Sequence, residues 1–247
     1  MSNSWLKEWS HKKVELALRL NNGDCGGSYA EAVIILCSVL SGIAAEVWPG
    51  RNQDRNRFVE LLVKYTDASF NCQKVSVPLL VGAVRNNGDI QLADKIKRDL
   101  MLFSDARVIT GDDVDKTIDE LKAAYPSIDL TILKKNSYAC VLYEEIRSGY
   151  VHEYRPGERS DSWAMTAGQS SISYINRVDK PDRLIYFNVE WLAKLIGEVV
   201  DTLSKFESMP VFNAYSPWWL GKMSITNRAT FARAAAECCN LNCIVKF

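Results

Sequence analysis

Two histidines, His11 and His152, are all the imidazole that the 247 residues hold. Chemistry that needs a group titrating near neutral pH without special tuning therefore rests on one of them. His11 falls on the polar side of the first amphipathic stretch and is expected to do nothing chemical. Charge of one sign is also missing, since thirty basic residues meet thirty acidic ones. No global field steers such a chain toward nucleic acid or an anionic membrane, so an RNA partner would have to be held by a local patch. The most apolar run, Ala32 to Ala45 between Glu31 and Glu46, is too short to span a bilayer and reads as a buried core helix. Met1 to Trp9 lacks the basic region and apolar run of a secretory leader. A cytoplasmic protein with no membrane partner is expected. Seven cysteines are an odd number, and several, such as Cys37 and Cys140, lie in apolar segments. They argue for reduced, mostly buried thiols in place of a disulfide framework. Cys238, Cys239 and Cys243 have no neighbouring histidine or fourth cysteine, which speaks against zinc. No cofactor is expected, and there is no internal repeat or low-complexity linker.

What is present is the composition of an ordinary globular protein, 47% hydrophobic and 24% charged, long enough for one large domain or two small ones. Trp5, Trp9, Leu16 and Leu20 recur at helical spacing before Asn21-Asn22-Gly23. Ser28 and Glu31 form a capping box at the head of the apolar helix, which Trp48-Pro49-Gly50 ends. Asp54 to Tyr65 places Phe58, Leu61, Leu62 and Tyr65 on one helical face. Pro78 interrupts a weaker apolar segment, and Asp89 to Phe103 and Asp112 to Tyr125 read as amphipathic helices. Leu130 to Tyr154 is a second long helix, closed by Pro156-Gly157. From 162 to 187, β-prone runs (Trp163 to Met165, Ile172 to Ile175, Leu184 to Phe187) predict a small hairpin with a third strand. Asn188 caps a periodic helix carrying Leu192, Leu195, Ile196, Val199, Leu203 and Phe206. Residues 208–247, with Trp218-Trp219 and a helix from about Thr226 to Cys239, read as an appendage over one end of the bundle. The expected fold is one all-α domain, residues 1–247: a helical bundle with a small β-hairpin appendage and an extra C-terminal helix.

One segment carries chemistry: Arg147-Ser148-Gly149-Tyr150-Val151-His152-Glu153-Tyr154. A guanidinium is a permanent fork of donors matched to phosphate oxygens. With an imidazole it supplies what RNA cleavage needs without a metal, a hold on the phosphodiester and a proton acceptor for a ribose 2′-hydroxyl. The simpler alternative is a helix-terminal histidine paired with a carboxylate beside a surface arginine. Five residues turn an ideal helix by about 140°, so the two side chains do not share a face. Gly149 between them can loosen the helix. Alternatively, two copies meet about a two-fold axis, so that Arg147 of one faces His152 of the other in a shared cleft.

Arg147-x4-His152 late in a long helix of a bundle resembles the Arg-x4–6-His signature of HEPN domains (higher eukaryotes and prokaryotes nucleotide-binding). Ala45-Glu46-Val47-Trp48-Pro49-Gly50 followed by Arg57-Phe58-Val59-Glu60-Leu61-Leu62 is similar to the early helices of larger prokaryotic members. So is Leu142-Tyr143-Glu144-Glu145-Ile146 leading into Arg147. The resemblance covers about residues 28 to 207, with a β insertion at about 162–187. It implies a homodimer whose paired motifs form a metal-independent endoribonuclease site, often in toxin–antitoxin, abortive-infection or other defence systems, with an antitoxin or nucleotidyltransferase as possible partner. Carried over by position, His152 acts as general base or acid, and Arg147 binds the scissile phosphate and stabilises the transition state. The expected product is a 2′,3′-cyclic phosphate. Ser148 stands where active members usually carry Asn, His or Asp. Tyr154 extends the match to Arg-x4-His-x-Tyr, a form silenced in some relatives by nucleotide transfer onto the tyrosine; otherwise it is an aromatic covering the helix end.

Glu144, three residues before Arg147, reads as a helical ion pair orienting the guanidinium. Asp112-Asp113-x-Asp115 reads as acids opening a helix, favoured by its dipole, and not as a metal cluster. Lys222, Arg228 and Arg233 lie in an acid-free stretch that could meet a phosphate backbone or simply face solvent. The alternatives to an endoribonuclease are a catalytically silent HEPN-like module that binds RNA, nucleotide or protein, and a purely structural helical scaffold.

Overall fold

The computed structural model describes residues 3–67, 69–100, 106–162, 172–177, 182–207, 210 and 218. Helix α1 runs over Asn3–Asn21 and α2 over Tyr29–Val47. The capping box forms as expected: Ser28 Oγ accepts from the Ala30 N–H at 3.2 Å while Glu31 accepts from the Ser28 N–H at 2.7 Å. Helix α2 is long and apolar enough to cross a membrane by length and composition. In this fold it packs against α1, and Ala32, Val33, Leu36, Leu40, Ile43 and Val47 are fully buried. The buried stripe of α1 is Leu6, Ser10 and Ala17, whereas Trp5 and Leu16 are exposed. Trp5 instead stacks on Trp9 with ring centroids 5.5 Å apart.

Helix α3 covers Asp54–Lys64 and buries Phe58, Leu61 and Leu62. Pro78 does not interrupt a segment. It sits in the first turn of α4, Val77–Asn86, where a missing N–H costs nothing. Helix α5 spans Ile90–Asp99. The helix expected from Asp112 to Tyr125 is two, α6 at Gly111–Val114 and α7 at Ile118–Ala124. The chain turns extended at Asp115, and Thr117 opens α7 with a capping box of its own.

The long helix expected over Leu130 to Tyr154 is likewise interrupted. Helix α8 is Leu130–Lys135 and α9 is Tyr138–Val141, with Ser137 between them capping the Cys140 N–H. A tertiary contact holds the break: the Ser76 and Tyr138 N–H groups donate to the Asn136 and Lys74 carbonyls at 2.9 Å each. The chain then continues as a π-helical stretch, Leu142–Ser148, and ends in α10, Gly149–Glu153.

Two of the expected strands form, β2 at Ile172–Ile175 and β3 at Leu184–Phe187. Their third partner is β1, Val108–Thr110, from before α6, in the antiparallel order β1-β2-β3. The expected run Trp163 to Met165 lies outside the described residues. Nor is the sheet an appendage, because every residue of β2 and β3 is buried. Tyr29 of α2 donates its hydroxyl to the Phe187 carbonyl at 3.0 Å. Asn188 caps α11, Val189–Leu203, through the Glu190 and Trp191 N–H groups, and α11 returns against α1 and α2. The described residues are thus mostly helical with a small three-stranded antiparallel sheet.

Candidate active site

The π-helical stretch is the local departure that shapes the candidate site. Single π turns inside α-helices are rare and often mark functional positions, because the i→i+5 pattern widens the turn. Here the stretch carries Glu144, Glu145, Arg147 and Ser148. The returning loop holds it in place. The Gly157 N–H donates to the Glu145 carbonyl at 2.7 Å, and Arg159 donates Nε to the Glu145 carboxylate at 2.6 Å. Gly149 is needed for this closure. A Cβ there would stand 2.5 Å from the Arg155 carbonyl oxygen and 2.9 Å from the Gly157 nitrogen. Gly149 itself keeps right-handed helical geometry, so its absent side chain admits the loop and does not unwind the helix.

Arg147 lies over the ring of Tyr143, its guanidinium carbon 5.2 Å from the centroid. Tyr143 in turn meets Phe58 of α3 edge-on, at 5.4 Å. Half-buried, the guanidinium lies in a cation–π contact with an aromatic face, and its planar fork is one that lysine lacks. The expected Glu144–Arg147 pair does not form. Glu144 instead reaches Arg55 of α3 at 2.7 Å, and among the described residues Arg147 has no carboxylate partner. The adjacent Glu144 and Glu145 therefore serve different arginines, Arg55 and Arg159.

His152 is exposed on the last turn of α10. Its neighbours are exposed too, Val151 at 42% and Tyr154 at 58%. Tyr154 thus does not cover the helix end; it takes the left-handed conformation, φ 56°, and turns the chain away. Helix α10 is anchored through its other face, where Tyr150 is buried against Tyr29 with centroids 5.9 Å apart. The half-buried Ser148 side chain makes no hydrogen bond among the described residues. Nor does any hydrogen bond or ion pair join Arg147 to His152 within one chain. Lys222, Arg228, Arg233 and the helix expected at Thr226 to Cys239 lie outside the described residues.

The acidic triplet has a different role from a helix opener alone. Asp112 and Asp113 do open α6. Asp115 is 3% exposed and accepts from the Tyr138 hydroxyl, the Tyr174 hydroxyl and, at 2.8 Å, the Val77 N–H. Burial pushes its carboxyl up to about 7, against the pull of those three donors. One side chain thereby ties α4, α6, α9 and β2 together. No metal-holding group of His, Cys, Asp and Glu exists among the described residues. Cys37 and Cys140 are buried thiols, raised by burial to about 12 and about 11 and so poor nucleophiles. Trp218 is buried, its backbone N–H donating to Glu60 and its ring 4.8 Å from the Lys134 ammonium. No known family's model, no curated protein and no solved structure matches this chain.

Proposed function

We propose that the chain is a HEPN-type, metal-independent endoribonuclease acting in cellular defence, with its site composed across a homodimer. The observation that carries this reading is the state of the two motif residues. Arg147 is oriented over Tyr143 with no carboxylate to neutralise it among the described residues, and His152 stands exposed on a helix end rimmed by Val151 and Tyr154. A structural histidine would be buried on a partner, and a structural arginine would close on an acid. Exposed apolar side chains on either side of His152 suit a two-fold contact that brings each His152 to the other chain's Arg147.

In this mechanism one His152 takes the proton of a ribose 2′-hydroxyl, and the 2′-oxygen attacks the adjacent phosphorus. The bond from phosphorus to the 5′-oxygen breaks, and the leaving oxygen takes up a proton from water, so that one His152 and the facing Arg147 complete the site. Arg147 holds the non-bridging oxygens where negative charge builds up. The purified protein, given single-stranded RNA in excess EDTA, is expected to leave 2′,3′-cyclic phosphate and 5′-hydroxyl ends. Cleavage that requires added divalent metal, or that leaves 5′-phosphates, would contradict the proposal.

A further inference from the structure

A second site opens one turn upstream of Arg147. Glu144 forms part of the wall of a cleft of about 420 Å³, a size typical of small-ligand sites. Three cations converge on it from separate elements: Arg55 in the first turn of α3, Lys135 at the end of α8 and Arg159 in the loop after α10. Both arginines are held in place beforehand, Arg55 by Glu144 at 2.7 Å and Arg159 by Glu145 at 2.6 Å. Arg159 also donates Nη1 to Asn136 at 3.2 Å, while its Nη2 makes no hydrogen bond among the described residues. Lys135 is exposed and has no ion-pair partner among them. The lining also holds exposed Asn86 and Asn87, with their carboxamides, and apolar Ala83 and Ile132.

These features select a ligand class. Rigid guanidinium forks and an unpaired ammonium suit a phosphate. Carboxamides, which both donate and accept, suit a base edge, and the apolar wall suits a ring or ribose. Two helix C-termini border the cleft and by themselves disfavour an anion. Several of their last-turn carbonyls accept from the Asn87, Gly88, Asn136 and Ser137 N–H groups, and three cations outnumber the single Glu144 carboxylate in the lining. We propose that this cleft binds a nucleotide, free or as one residue of an RNA strand. The site does not depend on RNA cleavage at His152.

Calorimetric titration with inorganic phosphate, adenosine monophosphate and an eight-nucleotide 2′-O-methyl RNA, which attack by a 2′-hydroxyl cannot cleave, tests this on the full chain. Saturable binding of the mononucleotide, tighter than phosphate alone, is expected if the ligand is free. Binding of the RNA alone, weakening with salt by a slope of about 0.7 per phosphate held, assigns the site to a strand. Lys135→Glu is expected to weaken binding at least tenfold, since it reverses the unpaired charge. Glu144→Gln is expected to tighten it up to roughly fivefold by releasing Arg55. Both positions are exposed enough that thermal unfolding should barely move, which verifies folding. No saturable binding by any of the three probes, phosphate binding with no gain from the nucleotides, or constants unchanged in both variants would overturn the proposal.

Discussion

RNA cleavage is expected to fall by about a hundredfold to ten-thousandfold in His152→Ala, the usual loss when a positioned general base or acid is removed. Arg147→Ala should lose a comparable factor, because the charge that builds on the phosphoryl oxygens is left without its donor. Stability distinguishes this from loss of the fold. His152 is exposed and without a partner among the described residues, so its alanine variant should unfold within about 0.5 kcal/mol of the wild type, as surface substitutions do. Arg147→Ala uncovers the Tyr143 ring and should cost about 0.5–2 kcal/mol, the worth of such a contact. Arg147→Lys keeps the charge but not the fork, and should recover only part of the rate. Paired measurements of cleavage and urea unfolding on the same preparations check this. A cleavage rate that survives both alanine substitutions would place the activity elsewhere.

Asp115 carries the largest expected effect on the fold. Asp115→Ala leaves the Tyr138 and Tyr174 hydroxyls and the Val77 N–H without their acceptor in the interior. At about 1–3 kcal/mol for each stranded group, the sum reaches a large part of a domain's whole stability. A fall in Tm of about 10 °C or more, or failure to fold, is expected. Asp115→Asn keeps an acceptor and should cost less, and it isolates the titration. The carboxyl has an ordinary value of 3.8 and is pushed up to about 7 in the fold by burial. The folded state therefore binds the proton more tightly than the unfolded chain. The resulting stability is fully present below about pH 4, is lost as pH rises to about 7, and is level above that. The difference is on the order of 4 kcal/mol. Unfolding free energy measured from pH 4 to 8 should decline in the wild type and lose most of that slope in Asp115→Asn. Parallel pH profiles for the two proteins would remove Asp115 as the cause.

The parts of the fold legible in the sequence are those specified locally. Ser28 with Glu31, Asn188 before its helix, and Trp48-Pro49-Gly50 after another each satisfy or end a helix through neighbours a few residues away. What stayed hidden depends on distant partners. The breaks at Asp115 and Ser137 exist because Val77, Lys74 and Ser76 arrive from another segment to bond there. Strand β1 is three residues long, with no alternation to reveal it. Glu144 sits three positions from Arg147, yet a π-helical turn and the arrival of Arg55 decide its pairing. The Arg147 and His152 motif was visible because it is contiguous. The cleft of Arg55, Lys135 and Arg159 was not, because four helical segments and a loop build it.

The composite site makes one measurement decisive: cleavage by a mixture of the Arg147→Ala and His152→Ala proteins, unfolded together and refolded so that subunits exchange. Each variant alone is expected to be nearly inactive. In the mixed dimer, the intact Arg147 of one chain faces the intact His152 of the other, so activity should return well above that of either variant, still in EDTA. A mixture no more active than its components, with exchange verified by mass, would contradict a site shared between two chains.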